Sequence, residues 1–116
     1  MSTTTTTTTK RNFDQPDNTM DAVEKIRLDI VDVGGVKLTR VTAQPGWQWS
    51  VHAKPVQQTD SCQVDHVFYV VSGRVAAQDD NGAQVDFAAG DLAHIPPGHD
   101  GWTIGDEPAI WVEVPH

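Results

Sequence analysis

The chain has almost nothing with which to cross-link itself. Cys62 is its single cysteine among 116 residues, and a lone thiol cannot close an intrachain disulfide, which excludes a disulfide-stapled secreted scaffold. No apolar run approaches the roughly 20 residues that a spanning helix needs, and the N-terminus lacks the basic-then-apolar pattern of a secretory signal, so no membrane partner and a reducing, cytoplasmic location are expected. Cations are scarce as well. No Lys or Arg follows Arg74, eight Asp or Glu do, and the net charge is −8. Phosphate binding needs clustered positive charge, so nucleic acid is not an expected partner. Long helical periodicity is also missing, and with a polar start the chain has material for one core of about 90 to 100 residues, not two.

What is present is a turn-rich β pattern. "STTTTTTTKR" is a polar tract that cannot bury itself, so residues 1–18 are expected to form a disordered Thr-rich tail and residues 19–116 one domain. "DNTMDAVEKI" suggests a short helical turn. From Arg27 the period falls to two: "IRLDIVDV" and "VKLTRVTA" alternate around Gly34 and Gly35, a hairpin signal. Turn marks then recur at short intervals, with strand candidates at 47–53, 66–71, 75–78, 84–88, 92–95, 102–104 and 109–114. Residues 54–65 form the one long irregular connection, a kind of segment often tied to function. The pattern describes an all-β, antiparallel sandwich or barrel.

The punctuation resembles the cupin superfamily. Gly46 and Gly73 match the outer glycines of the first cupin motif, G-x5-H-x-H-x3-4-E-x6-G, and "GDLAHIPPG", with Gly90, Pro96 and Gly98, reproduces the G-x5-P-x-G portion of the second without a gap. The resemblance spans about residues 25–115 and implies a single jelly-roll β-barrel of the RmlC-like type, a site for a divalent metal, a small-molecule ligand and a homodimer. The departures fall where the metal would bind. Counted back from Gly73, His66 stands at the glutamate position, and Asp60 and Cys62 fall at the two histidine positions; the second-motif histidine would be residue 101, which is Gly101, while His99 directly follows Gly98. A turn tighter by two residues would put His99 in that histidine's place.

Cys62, His66 and His99, joined by His52, therefore form the candidate metal set. Thiolate and neutral imidazole together suit Zn²⁺ or Fe²⁺, and three ligands leave a position open. Alternation puts His66 on the face of Phe68 and Val70, toward the interior if those two point there. The plainer reading is a small buried hydrophobe at Cys62 and ordinary histidines elsewhere. Trp102 beside the "PPG" turn, Trp49 and Phe68 are the pocket candidates. Trp47 and Trp49 share one face of the expected strand, with Gln48, Ser50 and His52 on the other, and the sequence leaves open which faces inward. Asp100 and Asp60, with Asp65, neighbour candidate ligands and could fix an imidazole tautomer.

Three functions fit this sequence. One is a metal-dependent small-molecule enzyme of oxygenase or isomerase type, which the resemblance implies; another is a ligand- or zinc-binding sensing module without catalysis; the third is a metal-free barrel acting through dimerisation, which the apolar residues on both faces of "VFYVV" favour.

Overall fold

The computed structural model describes residues 7–115. The strands are β1 (Asn18–Met20), β2 (Ile26–Val33), β3 (Val36–Ala43), β4 (His66–Ser72), β5 (Arg74–Asp79), β6 (Gln84–Ala88), β7 (Leu92–Ile95), β8 (His99–Ile104) and β9 (Ala109–Glu113), with two short helices, α1 (Trp49–His52) and α2 (Lys54–Gln57), between β3 and β4. All pairings are antiparallel. The strands form a six-stranded sheet ordered β1-β2-β3-β9-β4-β7 and a three-stranded sheet ordered β6-β5-β8, the two-sheet jelly roll that the sequence led us to expect. None of the described helices is long and apolar enough to cross a membrane.

Period-two patterning accounts for most of this. In β3, Thr39, Val41 and Ala43 alternate with Leu38, Arg40 and Thr42, and Val41 and Ala43 are buried. Val41, Phe68, Val70, Val75, Ala77, Ile95 and Trp111 meet between the sheets as the core, each large side chain contributing about 1.5–3 kcal/mol on leaving water. Phe68 lies 5.3 Å from Trp111 and 5.8 Å from Phe87 between ring centroids, so aromatic packing links the two sheets. Gly73 makes the β4–β5 turn possible. Its φ is +71°, and a Cβ there would stand 2.1 Å from the Pro108 carbonyl oxygen, a position that excludes every other residue.

Two local expectations change. Residues 18–20 are not a helical turn but β1, because Asn18, Thr19 and Met20 pair with Ile30, Asp29 and Leu28. Of the strand expected over 47–53, Gln48 makes a single bridge to Trp102 and α1 follows it, and α2 occupies the first part of the long connection. Trp47, Trp49 and Ala53 are buried here, and the last two stand four apart, which is helical spacing. The tail expected over 1–18 lies partly outside the described residues. Its later portion is bound to the sheet: Arg11 donates to the Asp32 carbonyl and to Asp17, while Arg40 donates to Asp14 and stacks 5.5 Å above Phe13. These contacts cover the outer face of β2 and β3, where Asp29 and Val31 are buried.

Candidate metal centre

The first residues of two strands and the loop before one of them meet at one end of the sandwich. His66 opens β4 and His99 opens β8. Cys62 is pinned to β8 by backbone bonds: its N–H donates to the His99 carbonyl at 2.7 Å, and the Gly98 N–H donates to the Cys62 carbonyl at 2.7 Å. The connection before β4 therefore carries the thiol to the mouth of β8 and holds it there.

The side chains converge. One donor atom from each of Cys62, His66 and His99 lies within 4.8 Å of the other two, and Cys62 Sγ is 3.8 Å from His66 Nε2. Ligands at zinc–sulfur and zinc–nitrogen bond lengths around a tetrahedral centre stand about 3.6 Å apart, so the set fits a small divalent ion. Each imidazole is also held from behind. His66 Nδ1 donates to Glu113 Oε1 at 2.7 Å and His99 Nδ1 donates to the Pro96 carbonyl at 2.8 Å, which leaves both Nε2 lone pairs for the site. The imidazole rings stand 5.2 Å apart between centroids. Glu113 is itself fixed by the Trp111 indole N–H, 3.1 Å from its second oxygen.

Electrostatics couple the three. Burial pushes the Cys62 thiol up, but the hydrogen bonds of His66 and His99 to the sulfur outweigh it and bring the thiol down to about 6. Burial pushes His66 down, and its contacts with Cys62 and Glu113 reverse that, raising it to about 9. His99 is also raised: burial opposes charge there, and Cys62 and the Pro96 carbonyl favour it. Without a metal the cluster is a thiolate shared between two imidazoles. A divalent ion would replace their protons, since thiolate and neutral imidazole are the ligating forms.

Behind the donors lies a cavity of about 360 Å³ between the sheets, lined by Phe68, Trp111, Val75 and Ile95 among others, with Cys62, His66, His99 and Glu113 among its polar lining. Trp47 and Trp49 both face it and are 6% and 5% exposed, which settles the orientation that the sequence left open. Phe68 also lines it.

Other expected site residues are elsewhere. His52 turns its Nδ1 back onto its own helix, 3.1 Å from both the Gln48 amide nitrogen and the Gln48 carbonyl, and lies outside the group of converging donor atoms. Trp102 is not on this cavity but beside a shallow depression with Gln48 and Gln78, because alternation along β8 turns it away from the face of His99 and Gly101. Asp100 does not support an imidazole; its carboxylate accepts from the Gln48 side-chain amide and the Ser50 N–H, anchoring α1 to β8. Asp60 is exposed. Asp65 pairs with His94 at the surface. Sequence reasoning missed Glu113, whose one signal was an acid two residues after Trp111, on a strand face otherwise turned inward.

The EutQ-like cupin domain matches residues 41–111 of the chain. The chain belongs to this cupin family. Among solved structures this cupin is similar to an oxalate decarboxylase from Lactobacillus farciminis, crystallised with formate, at 25% identity and a TM-score of 0.57; the match covers 84% of this chain and 30% of the decarboxylase, so the cupin spans less than a third of that enzyme. A protein of unknown function from Acidithiobacillus ferrooxidans shares the fold at 16% identity and a TM-score of 0.64, covering 86% of this chain and 88% of its own. A cupin-like protein from Thermotoga maritima does so at 17% identity and a TM-score of 0.53, covering 77% and 66%. No functionally curated protein matches the sequence.

Proposed function

We propose that this cupin holds one divalent ion, Zn²⁺ or Fe²⁺, on Cys62, His66 and His99, and acts on a small molecule that enters the cavity, as an enzyme of oxygenase or isomerase type. The convergence of the three donor atoms carries the reading. When bound, such an ion supplies Lewis-acid polarisation or, for iron, oxygen activation. The chain's own residues do the rest: Glu113 keeps the His66 lone pair aimed at the site, the Pro96 carbonyl does so for His99, and the apolar walls exclude bulk water. With His52 outside the cluster, the described residues supply three ligand atoms and no fourth, which favours an open position over a saturated zinc site.

Elemental analysis of untagged, reconstituted protein tests this. One equivalent of metal in the parent and its loss in Cys62→Ala and His66→Ala is the expected result, and a parent that takes up no metal overturns it. A second reading has its own support. The thiolate and imidazolium already neutralise each other, so a metal-free barrel acting as a homodimer is electrostatically self-consistent; Tyr69 and Leu92, paired in register and 45% and 78% exposed, present an apolar outer face for a second copy. In either reading the protein works in the cytoplasm.

A further inference from the structure

The two sheets are unequal. One has six strands and the sheet facing it has three, so part of the wider sheet's inner face is left uncovered. Ile26 and Leu28 show where: they share a face with Ala43 and Val41, their partners in register, yet they are only partly buried and line the cavity. The wall there is hydrophobic surface that the chain itself does not cover. Trp47 and Trp49 add ring carbon and no donor, because their indole nitrogens are buried away from the space. Apart from Thr39 and Gln57, the polar side chains of the lining gather at the Cys62, His66, His99 and Glu113 end, and among the described residues no Lys or Arg lines the cavity. Its volume of about 360 Å³ is on the order of ten times the share of one water molecule in liquid, whereas voids in close-packed cores seldom exceed a single water. Met20, Gln57 and Val64 line it and are exposed, which places its entrance between β1, α2 and the loop before β4.

We propose that the ligand of this cavity is an uncharged, predominantly apolar molecule of on the order of ten non-hydrogen atoms, with one polar atom directed at the Cys62, His66 and His99 end. A simple alkylphenol is an example of the class. Its body packs against Leu28, Phe68 and Trp111 and covers the surface that the narrower sheet leaves open. Charge selects against anions: a divalent ion held by the Cys62 thiolate, with the Glu113 carboxylate behind His66, leaves no net positive charge, and no Lys or Arg is there to add one. A polyol fares no better, because apolar walls leave its hydroxyls unpaired. This inference deepens the metal reading and rests on it for the cavity's being the place where substrate binds, but the walls that select the body are the same with or without an ion.

The test is calorimetric titration of three molecules of similar size, the neutral p-cresol, the anion benzoate and the polyol erythritol, into metal-free protein and into zinc-loaded protein of verified metal content. In both forms p-cresol is expected to bind at one per chain, at least about tenfold tighter than either competitor and with the negative heat-capacity change of apolar burial. Ala53→Leu, which fills part of the space, is expected to weaken p-cresol by about tenfold with zinc uptake unchanged. Should Ala53→Leu fold poorly, Leu28→Ala at the half-buried wall gives a second readout: the enlarged space raises affinity for 4-propylphenol relative to p-cresol by about tenfold. Affinities unmoved in whichever of these variants folds place the ligand elsewhere and overturn the proposal. Benzoate or erythritol binding as tightly as p-cresol in either form overturns the ligand class and leaves the metal reading standing. Saturable p-cresol binding by protein that cannot be loaded with metal overturns the metal reading and supports the cavity assignment. No saturable p-cresol binding by protein that takes up one equivalent of zinc overturns the proposal alone.

Discussion

Two clusters of buried charge lie on opposite faces of the six-stranded sheet, and they arrange their partners differently. Asp29, 1% exposed on the outer face, has both oxygens occupied: Oδ1 accepts from Thr19 and Arg27, and Oδ2 accepts from Arg40, its partner in register across β2 and β3. On the inner face, His66 and His99 are held from behind at their Nδ1 atoms, and their other nitrogens and the Cys62 sulfur are left to partner one another around one point. The first arrangement occupies both carboxylate oxygens, although the Arg40 Nε–H is buried without an acceptor, and it serves to fasten β1 and the preceding segment to the sheet. The second keeps three lone-pair donors turned to one point. Burial and charge alone do not mark a candidate site; ligand-type atoms converging on one point do.

The contrast breaks most sharply under His99→Ala. Loss of one of three ligands is expected to weaken metal binding by more than about 100-fold by competition with a chromophoric chelator, whereas Asp29→Ala leaves it unchanged. Chemical denaturation reads the reverse asymmetry: Asp29→Ala lowers unfolding stability by about 3 kcal/mol, the low end for a broken buried pair because Arg27 is half in water, and the metal-free His99→Ala protein loses less. Glu113→Gln sharpens the comparison further, since it removes a support and spares the ligands; metal affinity falls by about 10- to 100-fold with the circular dichroism spectrum unchanged.

The smallest effect is a separation in pH. Burial raises the Asp29 carboxyl, but Arg40, Arg27 and Thr19 hold it below its ordinary 3.8, so its contribution is complete above that value and is lost as pH falls further. In the metal-free site the thiolate contribution is complete above 9.0 and lost as pH falls through about 6, and the imidazolium contribution is complete below 6.5 and lost as pH rises through about 9, so the pair spans about pH 6 to 9. Thiolate ultraviolet absorbance of the metal-free protein should appear near pH 6 and move toward the ordinary thiol range in His66→Gln. An unmoved midpoint in that variant would show that His66 does not hold the sulfur.

Much of this was legible in the chain. Alternation placed His66 inward with Phe68, and it also explains His99: residues 99 and 101 of β8 share a face, so a turn shorter by two residues moves the imidazole one pleat repeat along without turning it outward. Gly101, left at the usual histidine position, has the Trp47 ring beside it, 3.8 Å from where its Cβ would be. "WQWSVH" was misread because Trp-x-Trp satisfies a period of two, and the helical signal lay in Trp49 and Ala53. Glu113 was illegible for a different reason: which strand runs beside β4 is decided by topology, and no local pattern records that β9 does.

The α1–α2 insert has a consequence for how this protein can change. Trp49 and Ala53 roof the cavity from a segment that belongs to neither sheet, hinged between Gly46 and Gln58, both with positive φ, and latched by Asp100. Substitutions at the exposed positions of that roof, such as Val51 and Val56, can change its outer surface while the strand ladders, the buried Trp49 and Ala53 and the Cys62, His66 and His99 cluster stay as they are.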